Sequence, residues 1–117
     1  MHEMAICSGI VESVREELAT HDGRPLKVQV AVGGMHAIVD EFLQQAWRAL
    51  TLDSDLEDTE LALRFIPVRA RCRECDWEGE IELPFFVCGR CGVPSVEVTA
   101  GRELYLEKLT MGKEVPT

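Results

Sequence analysis

Apolar and polar positions along the chain follow two periods, and the points where the period changes mark the elements. Between Met4 and about Thr20, Ile6, Cys7, Ile10, Val11, Val14 and Leu18 recur every three or four residues, with Glu12, Arg15, Glu16 and Glu17 on the other side. That spacing predicts an amphipathic helix, and it puts Cys7 on the buried stripe as a small apolar filler rather than a fifth metal ligand. His21-Asp22-Gly23-Arg24-Pro25 gathers turn formers, after which Leu26, Val28, Val30 and Val32 alternate with Lys27, Gln29 and Ala31, as in a half-buried strand. Gly33-Gly34 ends that strand. A second helix is predicted from Asp40, placed to cap its start, with Phe42, Leu43, Ala46, Trp47 and Leu50 on one face.

The acidic stretch from Asp53 to Glu60 lacks the glycine and the closing glutamate of a calcium loop at the required offsets, and reads as a solvated loop. Leu61, Leu63 and Phe65 then alternate until Pro67 removes a ladder donor and turns the chain. Further on, Val96 and Val98, then Leu104 and Leu106, predict a return strand, and the tail from Gly112 is expected to be loose. The expected fold is α+β: a small α/β domain, two helices on a roughly three-stranded sheet, with an inserted zinc-ribbon-like lobe. Residues 1–69 plus 96–111 form the domain in this reading, and residues 70–95 the lobe.

The lobe rests on Cys72-Arg73-Glu74-Cys75 and Cys88-Gly89-Arg90-Cys91. Two Cys-x2-Cys turns, each aiming two sulfurs at one point, supply the tetrahedral thiolate set that Zn²⁺ favours in closed structural sites. Gly89 and Gly92 suit turns that need positive φ and close approach of N–H groups to sulfur. Two disulfides or four unrelated core cysteines are the weaker alternatives. Trp77, Ile81, Leu83, Phe85 and Phe86 are placed to cover the sulfurs. A closed four-sulfur site explains how the lobe folds without saying what the protein does.

Composition narrows the remaining choices. The chain of 117 residues is 46% apolar, enough for one modest core, and its formal charge is −9. Arg69, Arg71, Arg73 and Arg90 surround the cysteines, but Glu74, Asp76, Glu78, Glu80 and Glu82 oppose them, which argues against a nucleic-acid-binding ribbon. No apolar run reaches eighteen residues and the first residues do not look like a secretion signal, so no membrane association and a cytoplasmic location are expected. No Ser/His/Asp or Cys/His grouping stands out for nucleophilic catalysis, and the chain reads as a non-enzyme.

His2 and Glu3 are the other candidates for chemistry. The terminal amine, the His2 amide nitrogen and imidazole Nδ1 can close five- and six-membered rings around one ion, a nitrogen-rich set suited to Ni²⁺ or Cu²⁺. Glu3 or a distant group can supply a fourth donor. His21 reads as a turn residue.

Met1-His2-Glu3, Val32-Gly33 at the end of a strand, Thr59-Glu60-Leu61-Ala62-Leu63, the cysteine tetrad and Gly101-Arg102-Glu103-Leu104 together resemble the HypA/HybF family of hydrogenase maturation nickel metallochaperones. The resemblance spans nearly the whole chain. It implies nickel at His2 and Glu3, zinc at Cys72, Cys75, Cys88 and Cys91, and a small α/β domain carrying the zinc lobe. It further implies a HypB-type nucleotide-hydrolysing partner and delivery to the large subunit of nickel–iron hydrogenase, in some members also to urease. Asp40 matches, to within one residue, a carboxylate implicated in nickel binding in some members. Two features depart from the family pattern: Gly89 stands where many members have proline, and His36 is an additional histidine, either an extra donor or a loop residue. A rubredoxin-like iron electron-transfer module is the competing reading of the tetrad, distinguished by visible colour and redox cycling.

Overall fold

The computed structural model describes residues 2–112. The described chain is α+β, with two helices and two three-stranded sheets: α1 (His2–Leu18), β1 (Arg24–Gly33), α2 (Asp40–Thr51), β2 (Glu60–Ile66), β3 (Arg69–Cys72), β4 (Glu78–Glu80), β5 (Val96–Ala100) and β6 (Leu104–Gly112). A single 3-10 turn, Gly34–His36, follows β1. One sheet has the order β2-β1-β6, the other β4-β3-β5. Two compact units emerge, residues 1–31, 38–64 and 105–117, and residues 32–37 and 65–104.

In the first unit the helices pack on each other through the stripes their spacing predicts. Cys7, Ile10 and Val14 are buried on α1, and Leu43, Ala46 and Trp47 on α2. Phe42, expected on the buried face of α2, is instead 52% exposed, because the face that turns inward is centred on Leu43 and Trp47. Helix α1 starts at His2, two residues earlier than the apolar stripe suggests. Asp40 is not the cap of α2: Val39 holds that position without a side-chain bond, and Asp40 opens the first turn. There its carboxylate accepts from Gln44 Nε2 at 3.2 Å and lies where negative charge is favoured by the helix dipole.

Polar anchors fix α2 to the start of β2. Trp47 Nε1 donates to the Thr59 carbonyl at 2.9 Å and Gln44 Nε2 to the Leu61 carbonyl at 2.8 Å, while Thr59 Oγ1 donates to the Pro25 carbonyl at 2.9 Å. The acidic loop between them exposes Asp53, Asp55, Glu57 and Asp58 as expected, but it is pinned by Leu56, which is fully buried. Removing that side chain from water contributes about 1.5–3 kcal/mol. Ser54 Oγ bridges the loop by donating to the Thr51 carbonyl at 2.6 Å and accepting from Leu56 N at 3.1 Å.

In the second unit β3 is the central strand, antiparallel to both neighbours, with Ala70 opposite Gly79 of β4 and Val98 of β5. The single return strand expected from Val96 to Leu106 is therefore two strands, and the first of them belongs to the sheet that carries the cysteines. Gly101, at φ +115, makes the break, a backbone conformation L side chains rarely adopt. Around it Met35 N–H donates to the Gly101 carbonyl at 2.8 Å, Gly101 N–H to Glu103 Oε1 at 2.7 Å, and Gly33 N–H to the Glu103 carbonyl at 2.6 Å. Gly112 closes β6; the expected loose tail beyond it lies outside the described residues.

Candidate metal centre

The two Cys-x2-Cys turns fold as copies of one another. Glu74 and Cys75 point their N–H groups at Cys72 Sγ at 3.3 and 3.4 Å, and Arg90 and Cys91 do the same to Cys88 Sγ, both at 3.3 Å. The first cysteine of each turn donates its own N–H five residues ahead, Cys72 to the Trp77 carbonyl at 2.7 Å and Cys88 to the Val93 carbonyl at 2.9 Å. The residue after each second cysteine has positive φ: Asp76 at 63° and Gly92 at 75°. Backbone donors aimed at sulfur stabilise the anionic thiolate, the form a metal requires.

These turns bring the four sulfurs within 4.8 Å of one another. Cys72 and Cys91 Sγ are 3.8 Å apart, Cys75 and Cys88 Sγ 3.5 Å. A tetrahedron of bonds near 2.3 Å has edges of about 3.8 Å, so the donor set fits a tetrahedral thiolate-bound ion. None of the five cysteines is in a disulfide. Cys72 and Cys88, whose sulfurs receive the N–H bonds, are buried, and Cys91 is exposed.

Proton affinity is unevenly distributed over the tetrad. Burial works to raise the Cys88 thiol, but the Cys91 and Arg90 N–H groups outweigh it and bring it down to about 6. At Cys75 the Trp77 backbone works downward, yet burial and the sulfurs of Cys88, Cys72 and Cys91 push it up to about 12. Thiolates, not thiols, ligate a metal, so an arriving ion must displace the protons still held by sulfur, which couples metal binding to proton release. Cys7 stands apart from this group: buried on α1, its thiol is pushed up to about 11 by burial alone.

Cover over the sulfurs differs from expectation. Phe85 is 65% exposed, and Leu83 and Phe86 are also on the surface. Trp77 is the aromatic that packs within the lobe. A Cβ added at Gly79 or Gly89 would fall 2.6 or 2.5 Å from its Cζ2, so both glycines are needed as open faces against the indole. Gly89 thus serves close approach, and only Gly92 of the predicted pair has positive φ. Trp77 was expected among the residues covering the sulfurs, but its pairing with Gly79 and Gly89 and the positive φ of Asp76 were not singled out. Laying Cys72–Asp76 over Cys88–Gly92 would have found Asp76, since the second copy has glycine there.

The other candidates are spread over the chain. His2 is exposed and Glu3 half-buried in the first turn of α1, while Asp40 is exposed in the first turn of α2. His36 Nε2 lies 3.0 Å from the Arg102 carbonyl. Among the described residues the cysteine tetrad is the one convergent group of three or more His, Cys, Asp or Glu side chains. The terminal amine of Met1 lies outside the described residues. Arg71 of the basic cluster pairs with Glu97 at 3.4 Å.

Comparison with known proteins adds a family. The family model described as hydrogenase/urease nickel incorporation, metallochaperone, hypA matches residues 1–111. The hydrogenase maturation factor HypA of Desulfitobacterium hafniense is 33% identical over 110 residues, covering 93% of this chain and 96% of that one. That of Solidesulfovibrio magneticus is 34% identical over 116 residues, covering 95% and 99%. The solution structure of the Ni metallochaperone HypA from Helicobacter pylori has the same fold, with a TM-score of 0.65 over 97% of this chain and 100% of that one at 23% identity.

Proposed function

The chain belongs to the HypA family of nickel metallochaperones, and from that membership we propose that it carries Ni²⁺ for hydrogenase maturation, binding the ion at the start of α1 while a structural Zn²⁺ occupies the cysteine tetrad. The observation that carries this reading is the family match over residues 1–111, which takes in both the Met1-His2-Glu3 start and the tetrad. The sulfur geometry supports a second, permanent ion. Four thiolates form a closed set with no open position for a substrate, so the tetrad suits a metal that stays.

Nickel needs the opposite properties. His2 is exposed, and its amide belongs to the first turn of α1, where N–H groups have no carbonyl four residues back to donate to. Recruiting that amide nitrogen, together with imidazole Nδ1 and the amine of Met1, costs no bond of the helical ladder. Glu3, and Asp40 from α2, are the carboxylates proposed to complete the set. Few protein donors at an accessible position favour release to a partner, a HypB-type nucleotide-hydrolysing protein and the hydrogenase large subunit, in the cytoplasm. The family description also names urease, which stands as a second recipient class.

Metal analysis of protein with its native start, alongside protein extended upstream of Met1, tests the reading. A single tightly held zinc is expected in both, with nickel affinity at least tenfold weaker in the extended chain, because acylation removes the amine lone pair. Equal nickel affinity and identical spectra would dismiss the amine chelate. A coloured, redox-active iron centre in the tetrad would replace the structural zinc and favour electron transfer over nickel carriage.

A further inference from the structure

The two Cys-x2-Cys turns match in backbone but not in cover. Cys72 and Cys88, the first cysteine of each turn, are 1% and 3% exposed, and each sulfur receives two backbone N–H bonds. The second cysteines differ from them and from each other: Cys75 is half-buried and Cys91 is exposed. Gly89, Arg90 and Gly92 beside Cys91 are exposed as well, and a Cβ added at Gly92 would meet nothing within 4 Å. One member of the tetrad is therefore open to small solutes. An accessible thiolate attacks electrophilic oxygen, whereas a buried structural cysteine is inert.

The sulfur positions supply its partner. Cys72 Sγ lies 3.8 Å from Cys91 Sγ and Cys88 Sγ 3.5 Å from Cys75 Sγ, and both pairs join one turn to the other. A disulfide bond is about 2.05 Å long, so each pair has to close by less than about 2 Å. Two such links would hold the turns together in place of an ion, and reduction would return the donor set.

We propose that the tetrad is also a peroxide-responsive site, at which Cys91 is oxidised first and Cys72 resolves it, with release of the bound ion. Cys91 Sγ attacks hydrogen peroxide, the O–O bond breaks, the sulfur keeps one oxygen as a sulfenic acid, and the departing hydroxide takes a proton to become water. Cys72 Sγ then attacks the Cys91 sulfur, an S–S bond replaces the S–O bond, and the second hydroxide also leaves as water. Cys75 and Cys88 consume a second peroxide in the same way. In balance, four thiolates, two peroxides and four protons give two disulfides and four waters, and no thiolate is left to hold an ion. The inference rests on zinc in the tetrad for what is released, and on the sulfur positions for the pairing.

The test titrates the reduced, full-length chain, its zinc measured beforehand, with hydrogen peroxide. Zinc release is followed with a chromophoric chelator, and remaining thiols are blocked before digestion. Trypsin cuts after Arg71, Arg73, Arg90 and Arg102, which puts Cys72 and Cys91 on separate peptides and Cys75 and Cys88 together on residues 74–90. The expected result is zinc release complete near about two peroxides per chain, a link between the Cys72 and Cys91 peptides, and a 74–90 peptide lighter by two hydrogens. Thiol reduction is expected to restore zinc binding. At substoichiometric peroxide, a sulfenate trap such as dimedone is expected on the Cys91 peptide. Cys91→His keeps a Cys3His zinc set and is expected to release zinc at least tenfold more slowly, while Cys7→Ala behaves as wild type.

Links within a turn, a trap found first on another cysteine, or zinc retained at tenfold peroxide excess would each overturn the inference. If Cys91→His takes up no zinc, trapping and mapping of the wild type decide alone. A wild-type chain isolated without zinc contradicts the metal reading instead, and the same digest still decides the pairing.

Discussion

Trp77 fills a slot that exists because positions 79 and 89 carry no side chain. Gly89→Ala is therefore expected to push the indole aside and to cost about 1–3 kcal/mol, the usual range for overpacking, with a shifted tryptophan emission as its direct readout. The turn positions behave differently. Gly92→Val forces a β-branched residue to φ near 75° and should destabilise the lobe by about 1–2 kcal/mol, whereas Asp76→Gly, at φ 63°, should be tolerated; thermal melts of the two variants compare them directly. The four cysteines were legible from spacing alone, because ligand geometry demands that spacing. The pairing of Trp77 with Gly89 was not, since it depends on the folded lobe bringing together residues distant in sequence. At Cys7 the folded thiol titrates at about 11 and the unfolded one near 9. Stability from that site is fully present below pH 9 and lost as pH rises toward 11, measurable by denaturant titration in that window against Cys7→Ala.

At the scale of elements, the hydrophobic periods identified both helices, β1 and β2. Their limits were set by features the period does not register. Helix α1 extends to His2 because polar residues are acceptable in an exposed first turn, and the predicted return strand divides at Gly101 because two backbones meet there. A Cβ at Gly33 would lie 2.1 Å from the Gly101 carbonyl oxygen. Backbone cannot yield as a flexible side chain can, so Gly33→Ala is expected to destabilise by more than Gly89→Ala and to lower the melting temperature further. The first sheet also carries an ion pair: Arg64 Nε donates to Glu107 Oε1 at 2.8 Å, and Gln29 Nε2 donates to Glu107 Oε2 at 2.6 Å. Those bonds, the Arg64 one first, hold the Glu107 carboxyl below the ordinary carboxylate value. Its contribution is thus present above the unfolded pKa and disappears as pH falls through the lower folded one. Glu107→Gln should flatten the acid side of the stability–pH curve, measured by denaturant titrations below pH 5.

Across the whole molecule the proposed function sets two sites of opposite character on one chain. The tetrad is built from paired turns whose backbone is committed to sulfur, and a metal there is expected to be part of the fold. Cys72→Ala or Cys91→Ala should lose zinc and loosen the lobe, forfeiting part of a binding free energy of roughly 10–16 kcal/mol that is linked to folding. The start of α1 is the reverse case. His2 is exposed, and the buried stripe of the helix is Cys7, Ile10 and Val14. Periodicity and composition could exclude functions here but could not supply one; the carrier reading depends on the family that residues 1–111 match. The most direct test is nickel titration of native-start protein against His2→Ala at matched zinc content. The account predicts nickel binding at least tenfold weaker in the variant, with zinc content and melting temperature unchanged. Equal nickel affinity in the two proteins would contradict it.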